Sequence, residues 1–211
     1  MMVMARGRHS LHVGGWWGIV FSVGLLIEGG MVSVPTAAIS GEEIQAFYAA
    51  HRQIIVIQQI VAVALLVPML AFAQTLDRRS HSRDRRRVGW VMLAAWAVAT
   101  AEVATNALPL VLAVSAEVTA GTAHALAFAG DLADAALFAA IALFSVVAAP
   151  TDWMWLRRMG VLVAVLTLVR ALASPIGVTS LDAAAPIAFL SYVLALSTRT
   201  ILFDRARHTA N

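Results

Sequence analysis

An all-α bundle of six transmembrane helices is the fold class this sequence predicts, on three observations. The chain is 61% hydrophobic and only 13% charged, whereas soluble domains carry roughly 25% charged residues. Six apolar stretches reach the length, about 20 residues, that a helix needs to cross hydrocarbon. They cover 14–35, 53–75, 88–110, 119–149, 156–176 and 184–203. The connections are short, so residues 1–211 read as a single transmembrane domain with no soluble module.

The first stretch is rich in glycine. Gly14, Gly15, Gly18, Gly24, Gly29 and Gly30 let a helix approach its neighbours closely. Gly14 and Gly18 form a small-xxx-small pair, which leaves a homo-oligomer open, with packing inside the bundle the simpler use. The apolar run after the basic start is too long for a cleaved signal and lacks a small-residue cleavage site. Pro68 and Pro109 interrupt the second and third stretches, and each is expected to kink its helix. The fourth stretch is the longest and is expected to tilt or to run past the bilayer. The fifth carries a polar stripe of Thr167, Arg170 and Ser174, and the sixth carries Ser191 and Tyr192.

Arginine sets the direction. Arg6 and Arg8 precede the first stretch, and Arg78, Arg79, Arg83, Arg85, Arg86 and Arg87 fill the second connection. Arg157 and Arg158 lie in the fourth connection, and Arg205 and Arg207 follow the last stretch. These regions alternate so as to share one face, while the opposite connections hold Glu42, Glu43, Glu117 and Asp182 against Arg52 alone. The excess of basic residues marks the cytoplasmic face, so both termini are expected there. Trp16, Trp17, Trp90, Trp153 and Trp155 fall near that face and read as an interfacial belt. The 78–87 run reads as a topology anchor against anionic lipid, with no nucleic-acid partner implied.

The apolar stretches nevertheless hold Glu28, Gln58, Gln59, Glu102, Asn106, His124, Asp131, Asp134 and Arg170. A charged residue at the middle of a membrane helix costs roughly 2.5–3.5 kcal/mol on insertion scales, so such residues tend to be functional. Counting residues along each helix places all of them between the midplane and the outer surface, over an apolar cytoplasmic half. Glu102 and Asn106 are four residues apart, Asp131 and Asp134 three, so each pair shares a helix face. Lipid cannot solvate such faces, and they should turn inward to line a polar cavity above an apolar plug. Four acids face one Arg, and an acid that keeps its proton in a dry pocket is a proton donor. Arg170 reads equally as an internal ion-pair partner and as a clamp for an anion.

Other chemistry is excluded or thin. All 15 basic residues are Arg, a sign of a GC-rich bacterial genome, and the missing Lys removes Schiff-base chemistry. No Cys means no disulfide, thiolate or cysteine-held metal. His124 with Asp131 and Glu117 is a weak ligand set, so no metal and no cofactor is expected.

The stretch Asp131-Leu-Ala-Asp134-Ala-Ala-Leu-Phe and the closing Ala185-Pro186-Ile187-Ala188-Phe189-Leu190 resemble small six-span actinobacterial membrane proteins of unknown function. The chain also resembles integral-membrane terpene cyclases of meroterpenoid and indolosesquiterpene pathways, in residue type and depth. That resemblance implies a cyclisation started by a buried acid, with Glu28, Glu102, Asp131 and Asp134 as candidate catalytic residues. It further implies that Trp96, Phe128 and Tyr192 steady a carbocation, beside Gln58, Gln59, Asn106, His124 and Arg170 as substrate-binding residues. The expected partners are a lipophilic isoprenoid and membrane lipid, in a bacterial cytoplasmic membrane. Two rival readings share these residues: a proton-coupled transporter or channel, and a non-catalytic lipid-binding subunit.

Overall fold

In a computed structural model the chain is all-helical among its described residues, which are 6–81, 89–115, 118–150, 152–173 and 181–209. Side chains within those ranges are described from 14 to 79 and from 89 to 203. The helices are α1 (Arg6–Gly29), α2 (Gly41–His81), α3 (Trp90–Val114), α4 (Ala120–Val147), α5 (Met154–Ala173) and α6 (Ala184–Thr209). Each packs on its neighbours in sequence, and α6 closes the ring onto α1. α2 also crosses to α4.

Four of the six, α2, α3, α4 and α6, are long and apolar enough to cross a membrane. α1 contributes a shorter apolar stretch, Gly14–Gly29. The outward faces are largely apolar: Ile57, Ile60, Val67, Leu93, Leu132, Leu162, Leu168 and Leu172 are all exposed. A helix that is hydrophobic on its outer side as well as its inner side is made for lipid rather than water, and an all-α membrane bundle is the fold these helices build.

The element boundaries depart from expectation most at α2. It begins at Gly41, twelve residues before the predicted start, because Ser40 and Glu43 form a capping box. The Ser40 hydroxyl accepts from the Glu43 N–H at 3.3 Å, and the Glu43 carboxylate accepts from the Ser40 N–H at 2.9 Å. The added turns hold Ile44 and Tyr48 on one buried face, which Ile55 continues. At 41 residues the helix is about 60 Å long, twice a bilayer's hydrocarbon thickness. Glu42 and Glu43 therefore stand on a helix rather than in a loop. α1 stops at Gly29, six residues short of the predicted end, and residues 30–40 form a separate segment. Pro68 and Pro109 both lie inside continuous helices.

Two apolar cores result. The larger lies toward the end bearing the α2–α3 and α4–α5 connections, where Phe72, Val91, Ala95, Phe144, Leu156, Val193 and Leu196 are buried together. Polar side chains there are satisfied within their own helices: the hydroxyls of Thr75, Ser145 and Ser197 each donate to the carbonyl four residues back. Close approach of α1 uses its glycines, since a Cβ at Gly14 would strike Thr75 of α2 and one at Gly18 would strike Ser197 of α6. The small-xxx-small pair is thus spent inside the bundle. The smaller core, at the opposite end, joins Ile44, Tyr48 and Ile55 of α2 to Leu112 and Ala113 of α3 and Ala123 and Ala127 of α4, with Val32 and Val34 packed on it. Between the cores the helices leave an open space, walled in part by core residues such as Phe21, Leu65 and Phe189.

Candidate functional site

The gap between the cores is a cavity of about 970 Å³, at the upper end of the usual range for small-molecule sites. Its sides come from the end of α1, the middle of α2, the second half of α3, the first half of α4 and the start of α6. All nine predicted polar residues line it: Glu28, Gln58, Gln59, Glu102, Asn106, His124, Asp131, Asp134 and Arg170. They alternate with apolar wall, including Phe21, Leu65, Met69, Val98, Leu137, Ile141 and Phe189. Pro109 also lies on the wall, one turn beyond Asn106.

The structure divides the four candidate acids into two kinds. Asp134 accepts from Arg170 Nη1 at 2.5 Å, and the same guanidinium lies 3.3 Å from Asp182 through Nε. Its flat face rests 3.8 Å from the centre of the Phe138 ring. Arg170 is buried in this nest, 9% exposed, with its charge paired to Asp134 and Asp182 although its Nε makes no hydrogen bond. Asp131 accepts from the backbone N–H of Ala37 at 3.0 Å, which ties the 30–40 segment to α4. Gln58 ties the same segment to α2, its Nε2 donating to the carbonyls of Glu28 at 3.2 Å and Val32 at 3.1 Å. Segment 30–40 is a roof held over the cavity by two side chains.

Glu102 and Glu28 are the second kind. Glu102 accepts from Asn106 Nδ2 at 2.9 Å, a neutral amide one turn along its own helix. Glu28 lies beside the Gln58 side chain and within electrostatic reach of Glu102. These two carboxyl groups face the cavity without an ion-pair partner among the described residues.

The aromatic expectations are corrected. Trp96 is 56% exposed on the outer surface of α3 and does not line the cavity. Tyr192 is fully buried, but in the apolar core, where its hydroxyl donates to the Ser145 carbonyl at 3.1 Å, next to Gly160. Phe128 does reach the cavity, at its rim, and is half exposed. The aromatic wall is instead Phe21, Phe138 and Phe189, with Phe189 meeting Phe21 edge to face at 6.3 Å. Tyr48 and Asp182 also border the site. Tyr48 lies outside the predicted spans because the Ser40–Glu43 cap, and not hydropathy, sets the start of α2. Asp182 sits just before α6 and read as a loop charge. Thr167 is buried, bonded to its own helix at Val163, and away from the cavity. Ser174, Glu117, Arg83, Arg85, Arg86 and Arg87 fall outside the described residues, as do the side chains of Arg6, Arg8, Arg205 and Arg207. Among the described residues no three of His, Asp and Glu converge to hold a metal ion.

Comparisons with protein-family models, with curated proteins and with solved structures give no match.

Proposed function

We propose that the chain is a six-span enzyme of a bacterial cytoplasmic membrane, with both termini on the cytoplasmic side, that uses acid–base chemistry to cyclise a lipophilic isoprenoid without metal. The observation that carries the reading is the division of the acids. Asp134 and Asp131 hold the frame, while Glu102 and Glu28 face an apolar-walled cavity with no ion-pair partner among the described residues. The six-span reading draws on α5, a helix of 20 residues and so about 30 Å, whose Leu162, Val165, Leu168 and Leu172 are exposed. None of Trp16, Trp17, Trp90, Trp153 and Trp155, nor Arg79, Arg157 and Arg158 among the described arginines, lines the cavity.

In this reading a neutral Glu102 gives its proton to an epoxide or alkene held against it. The carbon left electron-poor is attacked by a neighbouring double bond, closing a ring. The resulting cation loses an adjacent proton to Glu28, which restores an alkene, and the proton returns from Glu28 to Glu102. Product and substrate are isomers, so no oxidant or second substrate is consumed. Phe21 and Phe189 present ring surface to the cation. Access from one side suits this better than transport, because the packed core of Phe72, Leu76 and Phe144 closes the far half.

The test is mass spectrometry of organic extracts from the purified protein and its membranes, wild type beside Glu102→Gln. The expected result is an isoprenoid bound to both and a cyclised isomer in the wild type alone, with turnover in the variant down about 100-fold or more, the usual worth of a general acid. Identical extracts would overturn the enzyme reading and leave binding or transport.

A further inference from the structure

We infer that this cavity also binds a lipophilic amine, its protonated ammonium group held by Glu28 and Glu102 in their ionised form, so that a bound amine and the proton-donating form of Glu102 exclude each other. The inference rests on reading the cavity as a binding site, not on the cyclisation.

The argument is an account of hydrogen-bond donors and acceptors. Among the amide and guanidinium donors on the wall, Gln58 Nε2 is spent on two backbone carbonyls, Asn106 Nδ2 on Glu102, and Arg170 Nη1 on Asp134, while Arg170 Nε is paired in charge with Asp182 at 3.3 Å without a hydrogen bond. Gln59 brings a donor, but an acceptor with it, and the Tyr48 hydroxyl does the same. The acceptors are far from spent. The carboxylates of Glu28 and Glu102 retain open positions, since a carboxylate can accept about four hydrogen bonds. Gln58 is buried, and its Oε1 accepts no hydrogen bond at all. A buried polar atom without a partner carries a desolvation cost that a bound donor would relieve.

Charge leads to the same ligand. Five carboxyl groups line the cavity, from Glu28, Glu102, Asp131, Asp134 and Asp182, and the one guanidinium is held by two of them. A phosphate or carboxylate headgroup would meet acids and find no free Arg. An ammonium brings both the missing donors and the missing charge, and charge-assisted hydrogen bonds are roughly twice as strong as neutral ones. The rest of the wall, with Phe21, Leu65, Met69 and Phe189, is suited to an alkyl or prenyl chain.

The experiment uses the full chain in nanodiscs of zwitterionic lipid at pH 7, with octylamine, octanol, octyl phosphate and octyltrimethylammonium as probes of equal chain length. Octylamine is expected to bind saturably, at least tenfold more tightly than octanol. Octyl phosphate should not bind, and octyltrimethylammonium, which is cationic but has no N–H, should bind more weakly than the amine. Glu28→Gln, which keeps the shape of the side chain, should weaken octylamine about tenfold while the unliganded thermal midpoint stays in place. Equal binding of amine and alcohol, tight binding of the phosphate, or octylamine binding unchanged in Glu28→Gln would each overturn the inference. Amine binding together with identical extracts would sink only the cyclisation. A cyclised product without amine binding would sink only this inference.

Discussion

Arg170→Leu is expected to lower the stability of the bundle by about 3–5 kcal/mol, the cost of breaking a buried ion pair by removing one partner. The cause is less the lost attraction than what is left behind. Asp134 and Asp182 would face each other across an apolar pocket with no cation between them, and Phe138 would lose the guanidinium on its face. For a chain of this size the thermal midpoint should fall by roughly 10 °C. Asp134→Asn should cost less, because its amide can still accept from Arg170. Arg170→Leu combined with Asp134→Leu should recover much of the loss, since replacing both members of a buried pair by apolar groups is often near neutral. Thermal unfolding of the detergent-solubilised protein measures all three. A single Arg170→Leu that melts with the wild type would show that the pair contributes nothing to holding α4, α5 and the α6 entry together.

The second large effect is expected at Gly41→Ala. A Cβ built at Gly41 would overlap the backbone carbonyl of Ala120, where α2 crosses α4. A side-chain obstacle can turn aside, but a helix backbone cannot, so the crossing must open. Overpacking of this kind costs typically 1–3 kcal/mol. The damage should be local to the smaller core, which also contains the hydrogen bond from Gln45 Nε2 to the Val118 carbonyl. The measurement pairs the thermal midpoint with the rate of limited proteolysis in residues 30–40. The expected result is a lower midpoint with faster cleavage there. A variant that matches the wild type in both would mean that α2 and α4 do not approach as closely as the structure places them.

Much of the site was legible in the sequence for one physical reason. A membrane leaves few positions where a carboxylate or amide can stand, so a simple count of depth brought nine residues from five helices to one cavity. The same reasoning failed for aromatic side chains, because hydrocarbon accepts an aromatic ring on either face of a helix. Trp96 and Phe138 are both aromatic residues in apolar runs, and only packing decides that the first faces out and the second lies under Arg170. Helix ends were missed where hydropathy was the sole guide. The start of α2 is set by a capping box, Ser40 with Glu43, that hydropathy does not weigh, and with it went Tyr48 and the smaller core. Hydropathy places Asp182 in a connection and says nothing of its partner, because Arg170 is twelve residues earlier, on α5.

The spacing of the two cores has a mechanical consequence. A void, and not interlocked side chains, separates the roof from the plug, so the two need not unfold or move together. Roof and plug behave as two cooperative units joined by continuous helices, and the roof, with the smaller apolar area, is the one with the lower free energy of opening. Segment 30–40 is fastened to the helices by the Gln58 and Asp131 hydrogen bonds and by Val32, Val34 and Ala37 packed on the smaller core. Anything that competes for the Gln58 and Asp131 side chains therefore also loosens the door to the cavity they line, so that occupancy of the site and access to it are coupled through the same pair of residues.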